Sequence, residues 1–266
     1  MAARRDSVQS VSRAFDILEA LAGSDDLGVT ELATRTGLVP STAHRLLATL
    51  AKRGYVSQRV DSGRYALGYK LVELANGLEQ GLARLRRVAR PHLESVQRAT
   101  EETTNLVVLD GDRVIYVDQV PGTRSVRMFT IVGAAALAHT TAAGKAILAF
   151  GPPEVVAALY SDNGELERLT SRTLPTLEAL QEDLARTARR GYAIDSEEHE
   201  EGVSCIAAPV LDRDDRPRAA ISISAPTARV LHPDTADLGA LLREHADRIS
   251  SDLAQSSLDG ERTAAG

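Results

Sequence analysis

Cysteine occurs once in 266 residues, tryptophan not at all, and aromatic residues make up only 3% of the chain. A single thiol, Cys205, excludes an internal disulfide framework and a cysteine-rich zinc site. With so few rings, the cores have to be built from Ala, Leu, Val and Ile. A long apolar run is missing too. The most apolar stretch, Ile131 to Phe150, is rich in Ala and is broken by Gly133, His139, Gly144 and Lys145, so it does not read as a membrane span. The N-terminal Ala-Arg-Arg segment leads into Asp6, Ser7, Gln9 and Ser10 rather than an apolar signal region. We therefore expect a cytoplasmic protein. Nor is there an excess of positive charge: 31 Lys and Arg face 37 Asp and Glu, a net charge of −6. Its distribution matters more than its sum. Residues 1–64 carry nine basic side chains against seven acidic ones, whereas residues 161–202 carry five Arg against eleven acids. The length fits two domains.

The most informative stretch that is present is Pro40-Ser41-Thr42-Ala43-His44-Arg45-Leu46-Leu47. Before it, Val29 to Gly37 reads as a short helix with Thr30 as N-cap and Leu32, Ala33 and Thr36 facing inward. Gly37 can take the positive φ of a helix C-terminus, and Pro40 suits the first position of the next helix. There Ala43, Leu46, Leu47 and Leu50 recur at helical spacing. Ser41, Thr42, His44 and Arg45 stay at the N-terminal end, which a helix-turn-helix presents to base edges in the major groove. An earlier helix, Ser10 to Ala22, carries Val11, Ala14, Ile17, Leu18 and Leu21 on one stripe. After Gly54, two β-prone runs flank Asp61-Ser62-Gly63 and read as a hairpin. Arg59 and Arg64 tip this wing, where they would meet backbone phosphates. The alternative, a plain helical hairpin with a solvated face, does not account for the first helix and the wing. Residues 1–67 are read as a winged helix-turn-helix that binds double-stranded operator DNA.

Residues 68–90 show Leu71, Leu74, Ala75, Leu78, Leu82 and Leu85 at near-heptad spacing, as a linker helix that packs on its own copy would. Packing on its own domain is the alternative. The basic cluster Arg84, Arg86, Arg87 and Arg90 reads as a solvated face. Pro91 opens a second regime, residues 91–255, with a short helix from His92 to Thr100. A β-hairpin follows over Thr104 to Val120 around Asp110-Gly111-Asp112, and then a third strand from Ser125 to Ile131. Helices are expected at Thr141 to Phe150, Pro153 to Leu159, Thr176 to Gly191 and Asp234 to Leu253. Strands are expected at Tyr192 to Asp195, Cys205 to Leu211 and Arg218 to Ser224. This is an α+β domain around an antiparallel sheet. Residues 256–266 read as a disordered tail.

The chain resembles the IclR family of bacterial transcription regulators from about Ser10 to Leu253. The resemblance rests on Ser12-Arg13-Ala14-Phe15-Asp16-Ile17-Leu18, the Pro40–Leu47 run, Tyr65-Ala66-Leu67-Gly68, and Ala143-Gly144-Lys145-Ala146. A late block runs from Arg190-Gly191-Tyr192-Ala193 through Asp195 to Glu201-Gly202-Val203-Ser204-Cys205-Ile206-Ala207-Ala208-Pro209-Val210. It implies an N-terminal winged helix-turn-helix, a linker helix and a C-terminal GAF-like effector-binding domain, assembled as a homodimer or homotetramer. It also implies a ligand-responsive repressor or activator that senses a small organic acid, not an enzyme. Carried over by motif, the effector site comprises Ala142 and Ala143 at a helix N-terminus with Asp195, Cys205, Ser222 and Ser224; Met128, Leu137 and Ile131 are candidates for its apolar wall. The residues agree with it. Ile221-Ser222-Ile223-Ser224 alternates, so both serines share a strand face, and helix-start N–H groups suit a carboxylate.

Other readings of these residues stay open at this level. Cys205 in an apolar strand can be a small buried hydrophobe, Ser222 and Ser224 can face solvent, and Asp195 can belong to a solvated acidic loop with Glu197, Glu198, Glu200 and Glu201. His139 and His199 could join Cys205 on a metal, but in no known ligand spacing. No metal and no cofactor are expected. A different class of function would be an enzyme using Cys205 as a thiolate nucleophile. That requires an electropositive setting, which the acidic neighbours oppose.

Overall fold

The fold was read from a computed structural model, which describes residues 8–161, 164–231 and 235–264, with side chains except at 78–81 and beyond 255. The chain divides into two compact units, one ending at Gly81 and the other beginning at Leu82. The first contains helices α1 (Gln9–Ala22), α2 (Val29–Thr36) and α3 (Pro40–Lys52), followed by the short strands β1 (Val56–Gln58) and β2 (Tyr65–Leu67). Ile17, Leu21, Leu27, Leu32, Leu47, Leu50, Val56 and Tyr65 form its core. Val11, expected on the buried stripe of α1, is exposed. The N-cap of α2 is Gly28 and not Thr30. The Gly28 N–H donates to the Glu31 carboxylate at 2.7 Å, which satisfies a free helix-end donor with a charge that suits the dipole. Gly37, at φ +65°, closes α2 in the left-handed conformation, and Pro40 opens α3.

Helix α4 runs from Lys70 to Thr100 without stopping at Pro91, where the sequence suggests a boundary and a separate helix. Pro91 costs the helix a hydrogen bond, but it is exposed. Ala89, Leu93 and Val96 on either side are fully buried in the second unit's core and hold both segments helical. The apolar stripe divides accordingly: Leu82 and Leu85 pack against that same core, whereas Leu74 is exposed and Leu71 half-buried. The Leu78 side chain lies outside the described residues.

The second unit continues with β3 (Thr103–Asp110), β4 (Arg113–Val120), β5 (Ala135–Leu137), α5 (Ala142–Phe150), α6 (Pro153–Leu159), α7 (Leu177–Arg190), β6 (Ala193–Ser196), β7 (Val203–Leu211), β8 (Pro217–Pro226), α8 (Thr227–Val230) and α9 (Thr235–Ala264). The strands form one antiparallel sheet in the order β5-β4-β3-β8-β7-β6. Residues 125–131 are not a strand. They run irregularly, with Val126, Phe129 and Ile131 exposed, and a turn at Gly133 (φ +92°) then delivers Ala135–Leu137 to the free edge of β4. The backbone of α9 continues helically to Ala264, through most of the expected tail, because extending a formed helix is cheap compared with nucleating one. Asp234, expected to open this helix, lies outside the described residues, as do 265 and 266.

One sheet face, with Leu106, Val117, Ile206, Ile221 and Ile223, packs on α4 and on Leu242, Ala246 and Ile249 of α9. The opposite face, with Val107, Ala207 and Ala220, packs on α5 and on Leu180 and Leu184 of α7. Burial on both faces explains why β7 reads as a nearly continuous apolar run and why Ser222 and Ser224 of β8 are buried despite their alternation with Ile221 and Ile223.

Candidate functional site

In the first unit α3 has two distinct faces. Ala43, Leu47 and Leu50 are buried, while Ser41, His44 and Arg45 are exposed and Thr42 is half-buried. The wing arginines have intramolecular partners. Arg59 Nε lies 2.8 Å from Asp26 Oδ2, and Arg64 reaches Asp26 Oδ1 at 2.5 Å and Glu31 Oε2 at 2.7 Å. Leu27 and Tyr65 exchange backbone hydrogen bonds alongside. Arg64 thus ties the hairpin to the α1–α2 loop and the start of α2, while Arg59 keeps half of its side-chain surface in solvent. The basic cluster of α4 is only partly a solvated face: Arg87 is exposed, whereas two of its members have partners in the second unit. Arg86 donates to the Val117 carbonyl, and Arg90 pairs with Glu94 and Asp118.

In the second unit the strand register assembles most of the remaining candidates. Asp195 pairs with Cys205 and Cys205 with Ser224, so the three form a row across β6, β7 and β8. Ser222, two residues along β8, pairs with Asn105 of β3. All point to the face covered by α5. Asp195, Ser222 and Ser224 are buried, and Cys205 is half-buried. The acidic loop is therefore not uniformly solvated: Asp195 and Glu198 are inside, and Glu200 and Glu201 outside. Asp195 Oδ1 accepts from the Glu198 N–H at 2.7 Å. Burial, reinforced by the neighbouring Glu198 charge, pushes the Asp195 carboxyl up to about 7.

Helix α5 packs on this same sheet face and opens with Thr141 capping the Gly144 N–H. The N–H groups of Ala142 and Ala143 lie in its first turn, where no intrahelical acceptor exists. Both side chains are buried in the core, so a bulky residue there would disturb packing as well as any ligand. Gly144 is required by close approach: a Cβ would lie 2.1 Å from the Ala138 carbonyl oxygen. Leu137 is buried on β5, and Met128 is half-buried in the loop whose carbonyl accepts from Thr103 Oγ1. Ile131 is exposed and contributes no wall.

Sequence reasoning missed a buried charge cluster beside this site. Lys145 is fully buried in α5, with Nζ 2.6 and 2.8 Å from the Glu198 oxygens and 2.9 Å from Asp183 Oδ2. A lysine inside an Ala-rich helix was the available signal, since such a charge must find partners. Asn105 was also missed, although an amide in the middle of a buried strand is the same kind of signal. The histidines do not gather on Cys205. His139 Nε2 bonds to the Glu167 carbonyl, and His199 Nδ1 to Thr140 Oγ1. Among the described residues no cluster of three His, Cys, Asp or Glu could hold a metal. The Cys205 thiol is pushed up by burial and by Asp195, the reverse of what a thiolate nucleophile needs.

Comparison with known proteins agrees with both units. Residues 10–60 match the IclR helix-turn-helix domain, and residues 81–251 match the bacterial transcriptional regulator IclR C-terminal domain. The chain is 36% identical over 248 residues to the HTH-type transcriptional regulator KdgR of Escherichia coli, covering 93% of this chain and 94% of that protein. It is 37% identical over 246 residues to the transcriptional repressor IclR of the same organism, covering 91% and 89%. Among solved structures, an IclR homologue from Microbacterium hydrocarbonoxydans complexed with 4-hydroxybenzoate superposes with a TM-score of 0.74 at 29% identity, covering 92% of this chain and 98% of that one. No helix among the described residues is long and apolar enough to cross a membrane.

Proposed function

The chain belongs to the IclR family of bacterial transcriptional regulators, DNA-binding proteins rather than enzymes, and we propose that it is switched by a small carboxylate seated between the start of α5 and the polar row of the sheet. The observation that supports this reading is that Asp195, Cys205, Ser222 and Ser224 share the sheet face that α5 covers, the helix whose first turn carries the N–H groups of Ala142 and Ala143. Hydroxyl and helix-end donors suit an anion, and Lys145 is already neutralised by its own carboxylates. The 4-hydroxybenzoate of the related structure is an acid of the same class. Leu137 and Met128 supply the apolar side.

On the DNA side, Ser41, Thr42, His44 and Arg45 read bases of a double-stranded operator, and Arg59 and Arg64 hold the wing against phosphates. The functional protein is a homodimer or homotetramer acting in the cytoplasm, where its operator is. Exposed Leu67, Tyr69, Val72 and Leu74 support self-association; light scattering that shows a monomer at micromolar concentration would remove this part of the reading.

The test of the effector site is a thermal-shift screen of small carboxylates, including 4-hydroxybenzoate, lactate and pyruvate. A bound acid raises the melting temperature by mass action, and Ser222→Ala should weaken it by ~0.5–1.5 kcal/mol, up to ~3 for a charged acceptor. If no acid shifts the wild type, the proposed effector class is wrong.

A further inference from the structure

Asn105 sits in the middle of β3 with its side chain fully buried, paired in register with Ser222. Its Nδ2 donates to Ser222 Oγ at 3.4 Å and to Ser224 Oγ at 3.3 Å. Cys205 Sγ donates to the same Ser224 oxygen at 3.2 Å. A hydroxyl has one proton to give and two lone pairs to receive with. Ser224 Oγ therefore has both lone pairs engaged, and only its proton remains. Ser222 Oγ receives from Asn105 and keeps its proton as well. Among the described residues neither hydroxyl donates to a protein acceptor. The Asn105 Oδ1 is equally buried and accepts from no protein donor among them.

We propose that Asn105 sets the polarity of the effector site. By occupying one lone pair on each serine, the last one left on Ser224 beside the Cys205 contact and one of two on Ser222, it turns Ser224 into a donor and biases Ser222 the same way, which selects a ligand that presents acceptors to them, a carboxylate rather than an amide. Its own Oδ1 then serves a hydroxyl carried by the same ligand. The inference rests on the effector reading above and deepens it by naming the group that discriminates ionised acids from their neutral isosteres. A site built with buried donors rejects a ligand that turns a donor towards them, because two donors then face each other with no acceptor.

The test is calorimetric titration of the full-length protein with three acid and amide pairs: benzoate and benzamide, 4-hydroxybenzoate and 4-hydroxybenzamide, lactate and lactamide. Wild type should bind the acid of the best pair at least about tenfold more tightly than its amide. In Asn105→Asp the new carboxylate accepts the serine protons, so the acid should lose at least about tenfold and the preference should reverse. A role confined to packing lowers both members of a pair together and leaves their ratio unchanged, and that result overturns the proposal. Wild type binding none of the acids overturns the effector reading and this inference with it, an outcome distinct from normal wild-type binding with an unchanged ratio in the variant. If Asn105→Asp does not fold by circular dichroism, Asn105→Ala is combined with Ser222→Ala,Ser224→Ala. Towards benzoate, which carries no hydroxyl for Oδ1, Asn105 acts only through the serines, so the combined loss should not exceed the larger separate loss by more than about twofold; fully multiplicative losses overturn the proposal.

Discussion

Lys145 can stay charged without solvent only because Glu198 and Asp183 both reach it. Removing one member of such a cluster leaves uncompensated charge in a low-dielectric interior. Lys145→Met should therefore lower the unfolding free energy by ~3–5 kcal/mol in urea titrations. Adding Glu198→Gln should recover part of that loss, since Asp183 retains Arg186 at 3.2 Å. Asp195 makes the opposite prediction. Its carboxyl titrates near 7 in the folded protein and near ~3.9 in the unfolded chain. Between those values the folded state keeps a proton that the unfolded chain has released, so stability falls as pH rises and levels off above 7. Asp195→Asn should remove this slope. It should stabilise by ~2–4 kcal/mol at pH 8 and change little at pH 4, as read from melting curves at the two pH values.

At the scale of elements, α4 is held as one helix by burial on both sides of Pro91 and not by its own hydrogen bonding. Pro91→Ala restores the missing N–H and removes the ring's clash, so it should stabilise by on the order of 1 kcal/mol or more, measurable as a raised melting temperature. The proposed DNA-binding roles divide between α3 and the hairpin. Arg45→Ala should reduce binding to the specific operator roughly ten- to a hundredfold and leave non-specific binding nearly unchanged. Arg64→Ala should act differently, because Arg64 is tied to Asp26 and Glu31. It should loosen the hairpin, seen as faster amide exchange from Val56 to Leu67, and weaken binding to all DNA together. Gel shifts at two salt concentrations separate the two behaviours; equal loss of specific and non-specific DNA in Arg45→Ala would refute the base-reading role.

For the whole molecule, regulation requires that the effector favour one DNA-binding state over the other, and the coupling is reciprocal. The factor by which a bound acid changes operator affinity must equal the factor by which operator changes affinity for the acid, in the usual range of about 5–150-fold. Titrating the acid with and without operator, and operator with and without the acid, measures both sides. An acid that binds equally well in both cases is a ligand of the pocket but not an effector.

The local elements were legible because their signals are local. Gly37 and Pro40 mark the helix-turn-helix, the Asp110-Gly111-Asp112 turn marks the β3–β4 hairpin, and the alternation of Ile221-Ser222-Ile223-Ser224 places both serines on one face of β8. The family resemblance carried Ala142, Ala143, Asp195 and Cys205 into the same neighbourhood. What the sequence could not show depends on partners far along the chain. Residues 125–131 have strand-like composition, yet Ala135–Leu137 took the edge of β4. Pro91 reads as a boundary until Leu93 and Val96 are seen to bury on the sheet. Glu198 and Asp195 look like members of a solvated acidic run until Lys145, more than fifty residues earlier in α5, draws Glu198 inside. Asn105 acquires a role only when register sets it against Ser222. Periodicity and turn chemistry act over a few residues and are written in order along the chain. Strand pairing, the satisfaction of buried charges and the polarity of a shared hydroxyl are settled between segments, and only the tertiary structure brings those segments together.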